Sequence, residues 1–431
     1  MFKYVVSTNQ AQTSCSTSNQ SGVEKVTMSA ITLPSSLQRP HRSISLLIQL
    51  LLLCSFTVVP LSGFSAMRLY SSQQALNPQN IIPVRSVCRS AGVTKYSDGS
   101  YHFSWLNVDA RTGYIMDASN CIVDLHGFNT IGTEFGDGIS GIPGLTPQPL
   151  TWFNSLFKMN YIRLNINVGW WNSDLYVPRA QMHYQAWVQQ MVTWAEQNGD
   201  YVLLNRTNEY QLPPCGGGTI TYCPASAESS DIDDTHPQQQ FNAGHLLDQT
   251  LAFWHSIVSL YKNDPAILYD DWNELHDITT ASWLSVQTTL ITTIRSINPR
   301  SVIVLGSNDW NNTMNPLTNG QAPDLRYPNL VYDWHIYDGV GNEPNSYMWM
   351  HWGAESNRQF SFAHQHGHGA IIDEWGGAFD VPQYNTALSS YAASNHIGMA
   401  YYSPNDIVNG SWTALSANGI LAQAAYARFS H

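Results

Sequence analysis

From residue 122 onward, short apolar runs alternate with longer stretches in which apolar residues recur every three or four positions. The runs predict strands and the recurrences predict amphipathic helices. Strands are expected at Ile122–Phe128, Tyr161–Ile166, Tyr201–Asn205, the run opening at Ala266, Val302–Gly306, Leu330–Ile336, Ala370–Glu374 and Ile397–Tyr402. Helices are expected between them, over Leu150–Met159, Arg179–Asn198, Leu246–Leu260, Thr280–Ile297, Tyr347–His366, Asn385–Asn395 and Ala414–Phe429. The helix at Arg179–Asn198 places Met182, Trp187, Met191 and Trp194 at helical spacing and stops at Gly199. Ahead of this rhythm, Tyr101–Trp105, Thr112–Met116 and the segment from Cys121 read as short strands joined by turns.

Eight strands alternating with helices predict an α/β fold, the (β/α)8 TIM barrel, with a short N-terminal strand and hairpin lead-in. The strands are nearly continuous apolar runs, as expected of parallel strands covered on both faces. An open doubly wound sheet fits less well, because Gly127-Phe128-Asn129 offers one glycine where a phosphate-binding turn needs several.

The N-terminal 66 residues differ in character. Residues 1–42 are polar and rich in Ser, Thr and Gln, and are expected to be disordered. Residues 43–66 read as a signal peptide: Arg39 and Arg42 precede an apolar run from Ile44 to Val59, and Gly63, Ser65 and Ala66 follow at a cleavage point. An uncleaved anchor is the alternative, although the run is short for a spanning helix. Residues 67–111 form an extended lead-in, and 112–431 the catalytic domain. After cleavage Cys88, Cys121, Cys215 and Cys223 remain. An even number in an exported chain points to two disulfides, Cys88–Cys121 and Cys215–Cys223. The localisation expected is secreted.

Charge narrows the partners. A formal net charge of -12 argues against nucleic acid, and against an anionic membrane once the signal is removed. Only 12% of residues are charged, whereas 15 Trp, 22 Tyr and 14 Phe can build a core and still line a cleft. A monomer acting on a neutral polysaccharide or oligosaccharide fits this balance.

In a barrel, chemistry sits at the C-terminal strand ends. Those ends carry Asn129, Arg163, Asn205, Asn273, Glu274, His335, Tyr337, Glu374 and Tyr402. Two strand-end glutamates amid neutral polar residues suit glycoside hydrolysis, in which one carboxyl protonates the leaving oxygen while the other attacks or activates water. Trp170, Trp171, Trp310, Trp352 and Trp375 lie near strand ends or in following loops, where some are expected to stack on sugar rings. Asn342-Glu343-Pro344 imitates the Asn273-Glu274 motif, but no apolar run leads into it. Sequons stand at Asn311-Asn312-Thr313 and Asn409-Gly410-Ser411.

From about Thr112 to the C-terminus the chain resembles the cellulase-type glycoside hydrolases of family 5, which are clan A retaining enzymes. The motifs that carry the resemblance are Ile122-Val123-Asp124-Leu125-His126-Gly127-Phe128-Asn129, Asn160-Tyr161-Ile162-Arg163-Leu164, Trp272-Asn273-Glu274, His335-Ile336-Tyr337 and Asp373-Glu374-Trp375-Gly376. The resemblance implies Glu274 as acid/base and Glu374 as nucleophile of a retaining double displacement. It places Asn273 on the sugar 2-hydroxyl and His335 beside the acid/base. Arg163 and Tyr337 would donate to Glu374, and Asn129, Trp375 and Tyr402 would complete the substrate-binding and supporting set. It implies no cofactor and no metal. Three positions depart from the family: Leu275 stands where Pro is usual, Asn205-Arg206-Thr207 replaces Asp-x-His, and Tyr402 aligns with a stacking Trp that Trp412 could replace.

The reading is therefore a secreted endo-β-glycanase acting on β-linked glucans. The alternatives are an endo-β-mannanase or other β-glycanase on the same barrel, a non-hydrolytic carbohydrate-binding barrel, and a metal-dependent enzyme using His335, His276 and the glutamates. Retention requires carboxyl groups about 5 Å apart, and inversion about 9 Å.

Overall fold

In a computed structural model, eight parallel strands close into a barrel. The structure describes residues 88–130, 147–177, 180–207, 246–275, 278–312, 314–320, 322–338, 357–377, 382–402, 404–408 and 414–429. Two antiparallel hairpins come first: β1 (Val93–Lys95) with β2 (Tyr101–Phe103), and β3 (Asn107–Val108) with β4 (Ile115–Met116). The barrel strands then run in sequence order as β5 (His126–Asn129), β6 (Tyr161–Asn167), β9 (Tyr201–Thr207), β10 (Ile267–Asp270), β11 (Ile303–Leu305), β12 (Leu330–Asp338), β13 (Gly369–Gly377) and β14 (Gly398–Tyr401), and β14 pairs back onto β5. A small hairpin, β7 (Tyr176–Val177) with β8 (Met182–His183), interrupts the order.

The helices are α1 (Pro147–Phe157), α2 (Val168–Ser173), α3 (Tyr184–Asn198), α4 (Leu246–Tyr261), α5 (Thr280–Ile297), α6 (Asn315–Thr318), α7 (Asn357–Gln365), α8 (Pro382–Ser394), α9 (Pro404–Ile407) and α10 (Ala417–Tyr426). Their ends follow local chemistry. Asn167 caps α2 by accepting from the Trp170 amide, Thr279 caps α5 through Ser282, and Ser416 caps α10 through Gly419. Gly199 ends α3 in the left-handed conformation at φ 89°.

The eightfold barrel is as the apolar pattern predicts, with shifted boundaries. The first barrel strand begins at His126, because Ile122 bridges to Arg89 and Met116 of the lead-in. The helix expected from Arg179 begins at Tyr184, because Met182–His183 pairs with Tyr176–Val177 around a turn with Gln181 at φ 54°. The expected helix Tyr347–His366 is seen as α7, with residues 347–356 outside the described part. The export segment, Cys215–Cys223, His276, the Asn342-Glu343-Pro344 loop, Trp352, Asn409 and Trp412 also lie outside it.

Strand alternation divides the core in two. Ile162, Leu164, Ile166, Val202, Leu204, Tyr269, Trp334 and Met399 face outward and pack under the helices with Phe153, Trp187, Trp254 and Trp283. Tyr161, Tyr201, Leu203, Leu268, Val304, Val331, Ile371 and Ala400 face inward and fill the barrel. Leu106, Val108 and Ile115 of the lead-in belong to that inner cluster, so the hairpins close the N-terminal end. The Tyr201 hydroxyl fastens them, its single proton shared between the carbonyls of Gly92 (2.6 Å) and Ser104 (2.8 Å). The expected Cys88–Cys121 disulfide joins the lead-in to the entry of β5, with Cα atoms 4.7 Å apart.

Above the apolar layer the inward positions turn polar. Asn129, Arg163, Asn205, Asp270, Asp333, His335 and Asp373 are all buried there. The site is built on this layer.

Candidate active site

Arg163 is its centre. As the third residue of β6 it points inward, is fully buried, and has all five N–H donors directed at acceptors. Nη1 donates to Glu374 Oε1 (2.6 Å) and to Asn129 Oδ1 (2.9 Å). Nη2 donates to Asp270 Oδ2 (2.8 Å) and to Asn273 Oδ1 (2.8 Å). Nε donates to Asp270 Oδ2 (3.0 Å) and lies 2.9 Å from Asp373 Oδ2. One planar fork thus orients side chains from three other strands, β5, β10 and β13. Burial opposes the charge on Arg163, but the carboxylates of Asp373, Asp270 and Glu374 outweigh it and raise the guanidinium pKa well above its ordinary value. Burial in turn pushes the carboxyls of Asp270 and Asp373 up to about 7, against the pull of Arg163.

Glu374 is 8% exposed and held on both oxygens. Besides Arg163 on Oε1, the Tyr337 hydroxyl donates to Oε2 at 2.5 Å. Burial, followed by the charges of Glu374 and Glu274, keeps that phenol protonated and able to donate. Glu274 is more open, with a side chain 32% exposed, and its Oε1 lies 2.7 Å from His335 Nδ1. Carboxylate oxygens of Glu274 and Glu374 lie within 4.8 Å of each other, with the His335 ring beside both.

The placement of Glu274 depends on an unusual backbone. Strand β10 ends at Asp270, four residues earlier, and Glu274 itself has φ 47°. A left-handed residue other than glycine costs about 1–2 kcal/mol. The turn lets two consecutive side chains meet the cleft, Asn273 on Arg163 and Glu274 on His335. It is held from below: the Asn273 amide donates to the Arg206 carbonyl (2.9 Å), and the Arg206 guanidinium lies 3.5 Å from the centre of a Trp272 ring. Leu275, at the position where the family has Pro, is buried in the outer core with Trp272.

The other expected site residues divide. Asn129 is buried and supports the site, donating to the Asp373 carbonyl (2.6 Å) while accepting from Arg163. Tyr402 sits just past β14, half-buried, with its amide on the Trp375 carbonyl (2.9 Å). Trp375 is a correction to the sequence reading. It is fully buried in the outer core, its Nε1 donates to the Tyr426 hydroxyl (3.2 Å), and it offers no face to a sugar. Trp170 and Trp171 are likewise buried in α2, and Trp171 donates to Ser256 Oγ. Trp310 is half-buried beyond β11.

Asn311, the first residue of a sequon, lies inside the fold. Its side chain is buried and donates to Asp333 Oδ2 (2.6 Å), so it is no glycan acceptor in the folded chain. A Cβ on Gly306 would lie 1.8 Å from its Oδ1, so only glycine permits this approach. Strand three supplies Asn205, whose Nδ2 donates to Asn165 Oδ1 (2.8 Å) and toward Asn273 Oδ1 (3.4 Å). Its neighbour Arg206 faces outward, donating to Thr250 of α4 (3.1 Å).

Asp270, Asp333 and Asp373 were missed as site residues. A signal existed: on a period of two, Asp270 follows Leu268 inward, and Asp333, His335 and Tyr337 share one face. Asp333, His335 and Asp373, like Glu274, His335 and Glu374, bring together donor atoms of the kind that bind cations. Here those atoms face Arg163, Asn311 and Tyr337, whose N–H and O–H donors would have to give way to an ion.

Residues 116–407 match the family model described as Cellulase (glycosyl hydrolase family 5). Over 130 residues the chain is 25% identical to Endoglucanase N of Pectobacterium atrosepticum, a match covering 30% of this chain and 26% of that protein. The chain thus spans about a quarter of the length of the curated relatives it matches. Among solved structures, the catalytic domain of Thermobifida fusca endoglucanase Cel5A superposes with a TM-score of 0.52 at 18% identity, covering 74% of this chain and 97% of that one. Thermotoga maritima Cel5A, solved with mannotriose, gives 0.53 at 16% identity over 70% and 97%. At such identities the structures speak for the barrel, while the family match spans most of the chain and includes both glutamates. The chain belongs to family 5 of the glycosyl hydrolases.

Proposed function

We propose that the protein is an exported, retaining endo-β-glycanase that hydrolyses β-linked glucans by double displacement. The observation that carries this reading is the approach of Glu274 and Glu374 within 4.8 Å, since a nucleophilic mechanism needs carboxyl groups about 5–5.5 Å apart. Glu374, aimed by Arg163 and Tyr337, attacks the anomeric carbon as the bond to the leaving oxygen breaks. Glu274 gives its proton to that oxygen. It then takes a proton from the water that displaces Glu374 and releases the sugar with its original configuration. Asn273 accepts on Oδ1 from Arg163 and Asn205, which leaves its amide N–H groups for the sugar 2-hydroxyl. Export is supported by the apolar run Ile44–Val59 with small residues after it, and by a disulfide at Cys88–Cys121.

The test is reducing-end release from a panel of β-glucans, glucomannan, mannan and xylan, with product lengths and initial anomeric configuration recorded by NMR. Wild-type protein should release the β-anomer from a glucan, and Glu274→Gln and Glu374→Gln should each lose more than about 1,000-fold while keeping the fold. Initial release of the α-anomer, or wild-type turnover in both variants, would overturn the reading. Preference for mannan would move the protein to the mannanase alternative on the same barrel.

A further inference from the structure

His335 is gripped at both ring nitrogens by carboxylates. Nδ1 faces the cleft, 2.7 Å from Glu274 Oε1 and 3.4 Å from Glu374 Oε2. Nε2 faces the barrel interior, 3.1 Å from Asp333 Oδ2 and 3.1 Å from Asp373 Oδ1. Asp333 is fixed independently of the ring. Its Oδ1 accepts from the Asp373 amide (3.1 Å) and its Oδ2 accepts from Asn311 Nδ2 (2.6 Å). The same Asn311 nitrogen lies 3.4 Å from Nε2. The ring is 1% exposed, and Asp333 and Asp373 are fully buried.

A nitrogen facing two carboxylate oxygens at hydrogen-bond distance must carry a proton, or one of those oxygens must. An imidazolium, with an N–H on each nitrogen, serves both pairs of carboxylates, and the Asn311 amide then donates to Asp333 Oδ2 rather than to Nε2. We propose that Asp333, with Asp373, is a positioning residue for the reaction: the two aspartates hold His335 as a buried cation whose Nδ1–H is aimed at Glu274 Oε1. This inference rests on the reading of Glu274 as acid/base.

The consequence falls on one half of the mechanism. When Glu274 transfers its proton to the leaving oxygen, negative charge develops on a carboxylate that already accepts from the imidazolium N–H. A preoriented donor at a site of developing charge lowers the barrier without reorganisation. The proton itself travels from the other oxygen of Glu274 to the leaving group and returns from water in the second step, so His335 keeps both of its own. The logic resembles that of a buried aspartate which orients and stabilises a catalytic imidazolium without taking its proton. Burial opposes the cation, but the charges of Glu374 and Asp333 and the hydrogen bonds of Asp333 and Asp373 outweigh it, and His335 titrates well above its ordinary value.

Two measurements test this. The first uses histidine-labelled protein, with His335→Gln to assign the resonance, and reads ring protonation by nitrogen chemical shift. Both nitrogens of His335 should be protonated at pH 7, and Asp333→Asn should lower the titration midpoint by at least one pH unit. A neutral ring at pH 7 in the wild type would overturn the proposal, and this arm requires neither turnover nor a folded variant at Asp333. The second compares kcat/KM for a β-glycoside with a poor leaving group and for its dinitrophenyl counterpart, which departs without acid assistance. Asp333→Asn should lose about 10- to 100-fold on the first and less than about threefold on the second. Equal losses on both would make Asp333 merely structural and sink the inference. A wild type that cleaves no β-glycoside would instead overturn the proposed reaction, so the two failures are distinguishable.

Discussion

Asp373 and Glu374 are consecutive in the chain, and both side chains enter the barrel to meet Arg163. A regular strand would send one of them to the helices. The pairing shows the cause: Asp333 pairs with Ile371 but His335 with Glu374, two residues on β12 opposite three on β13. The shift recurs against β14, where Ile372 pairs with Met399 and Trp375 with Tyr401. Such a bulge re-aims side chains beside an active site. It sets the carboxylates of Asp373 and Glu374 side by side on Arg163, and it turns the next residue, Trp375, outward.

Trp375 therefore acts on stability. Trp375→Ala should destabilise the fold by about 3–5 kcal/mol, the usual cost of emptying a core aromatic site. Trp375→Phe should leave KM for a soluble oligosaccharide within about twofold, since no sugar touches this ring. Denaturant unfolding and steady-state kinetics check the two halves. A KM rise of tenfold or more in the Phe variant would return the ring to the cleft.

Tyr337 acts on chemistry. Its hydroxyl is one of the two donors that orient Glu374, at 2.5 Å from Oε2. A hydrogen bond to a charged group contributes about 1.5–3 kcal/mol. Tyr337→Phe should accordingly lower kcat/KM about 10- to 100-fold, with the melting temperature changed by only a few degrees. Kinetics within twofold of wild type would show that Arg163 alone suffices to aim Glu374.

Stability should fall as pH rises toward 8. Burial pushes the Asp200 carboxyl up to about 8, against the amides of Asn198 and Asn154, which pull it down. An unfolded aspartate releases its proton near about 3.9. Between those values the folded chain binds more protons than the unfolded one, so stability decreases with rising pH and the slope ends above about 8. Glu196, also raised to about 8, first by burial and then by Asp264, adds in the same direction. Asp200→Asn should flatten the melting-temperature profile between pH 5 and 8. An unchanged slope would show that Asp200 titrates near its ordinary value.

The disulfide should matter for the lead-in. Cys88 and Cys121 are 33 residues apart, and closing a loop of that length contributes about 3–4 kcal/mol in the chain-entropy account. Reduction, or Cys88→Ser, should lower the melting temperature while leaving kcat largely intact, because the hairpins close the end of the barrel opposite the site. Thermal unfolding with and without reductant, alongside an activity assay, measures this.

The sequence by itself determined the barrel and the family, and named most of the side chains that meet at the candidate site. Apolar runs and helical periodicities are local, so eight strands in order were legible, as were Arg163, Asn273, Glu274, His335, Tyr337 and Glu374 near the ends of those strands. Boundaries that depend on pairing with distant segments were not: Met182–His183 became a hairpin strand, and Ile122 joined the lead-in. Nor does a strand pattern announce a bulge, so Trp375 was assigned to the wrong side. Nor does the sequon at Asn311 announce that Gly306 and Asp333 enclose its side chain. Only the tertiary structure decided that Asp270, Asp333 and Asp373 form a buried acidic layer beneath the two glutamates. Charge in a closed barrel is compensated across strands far apart in sequence, and that compensation exists only once the barrel has closed.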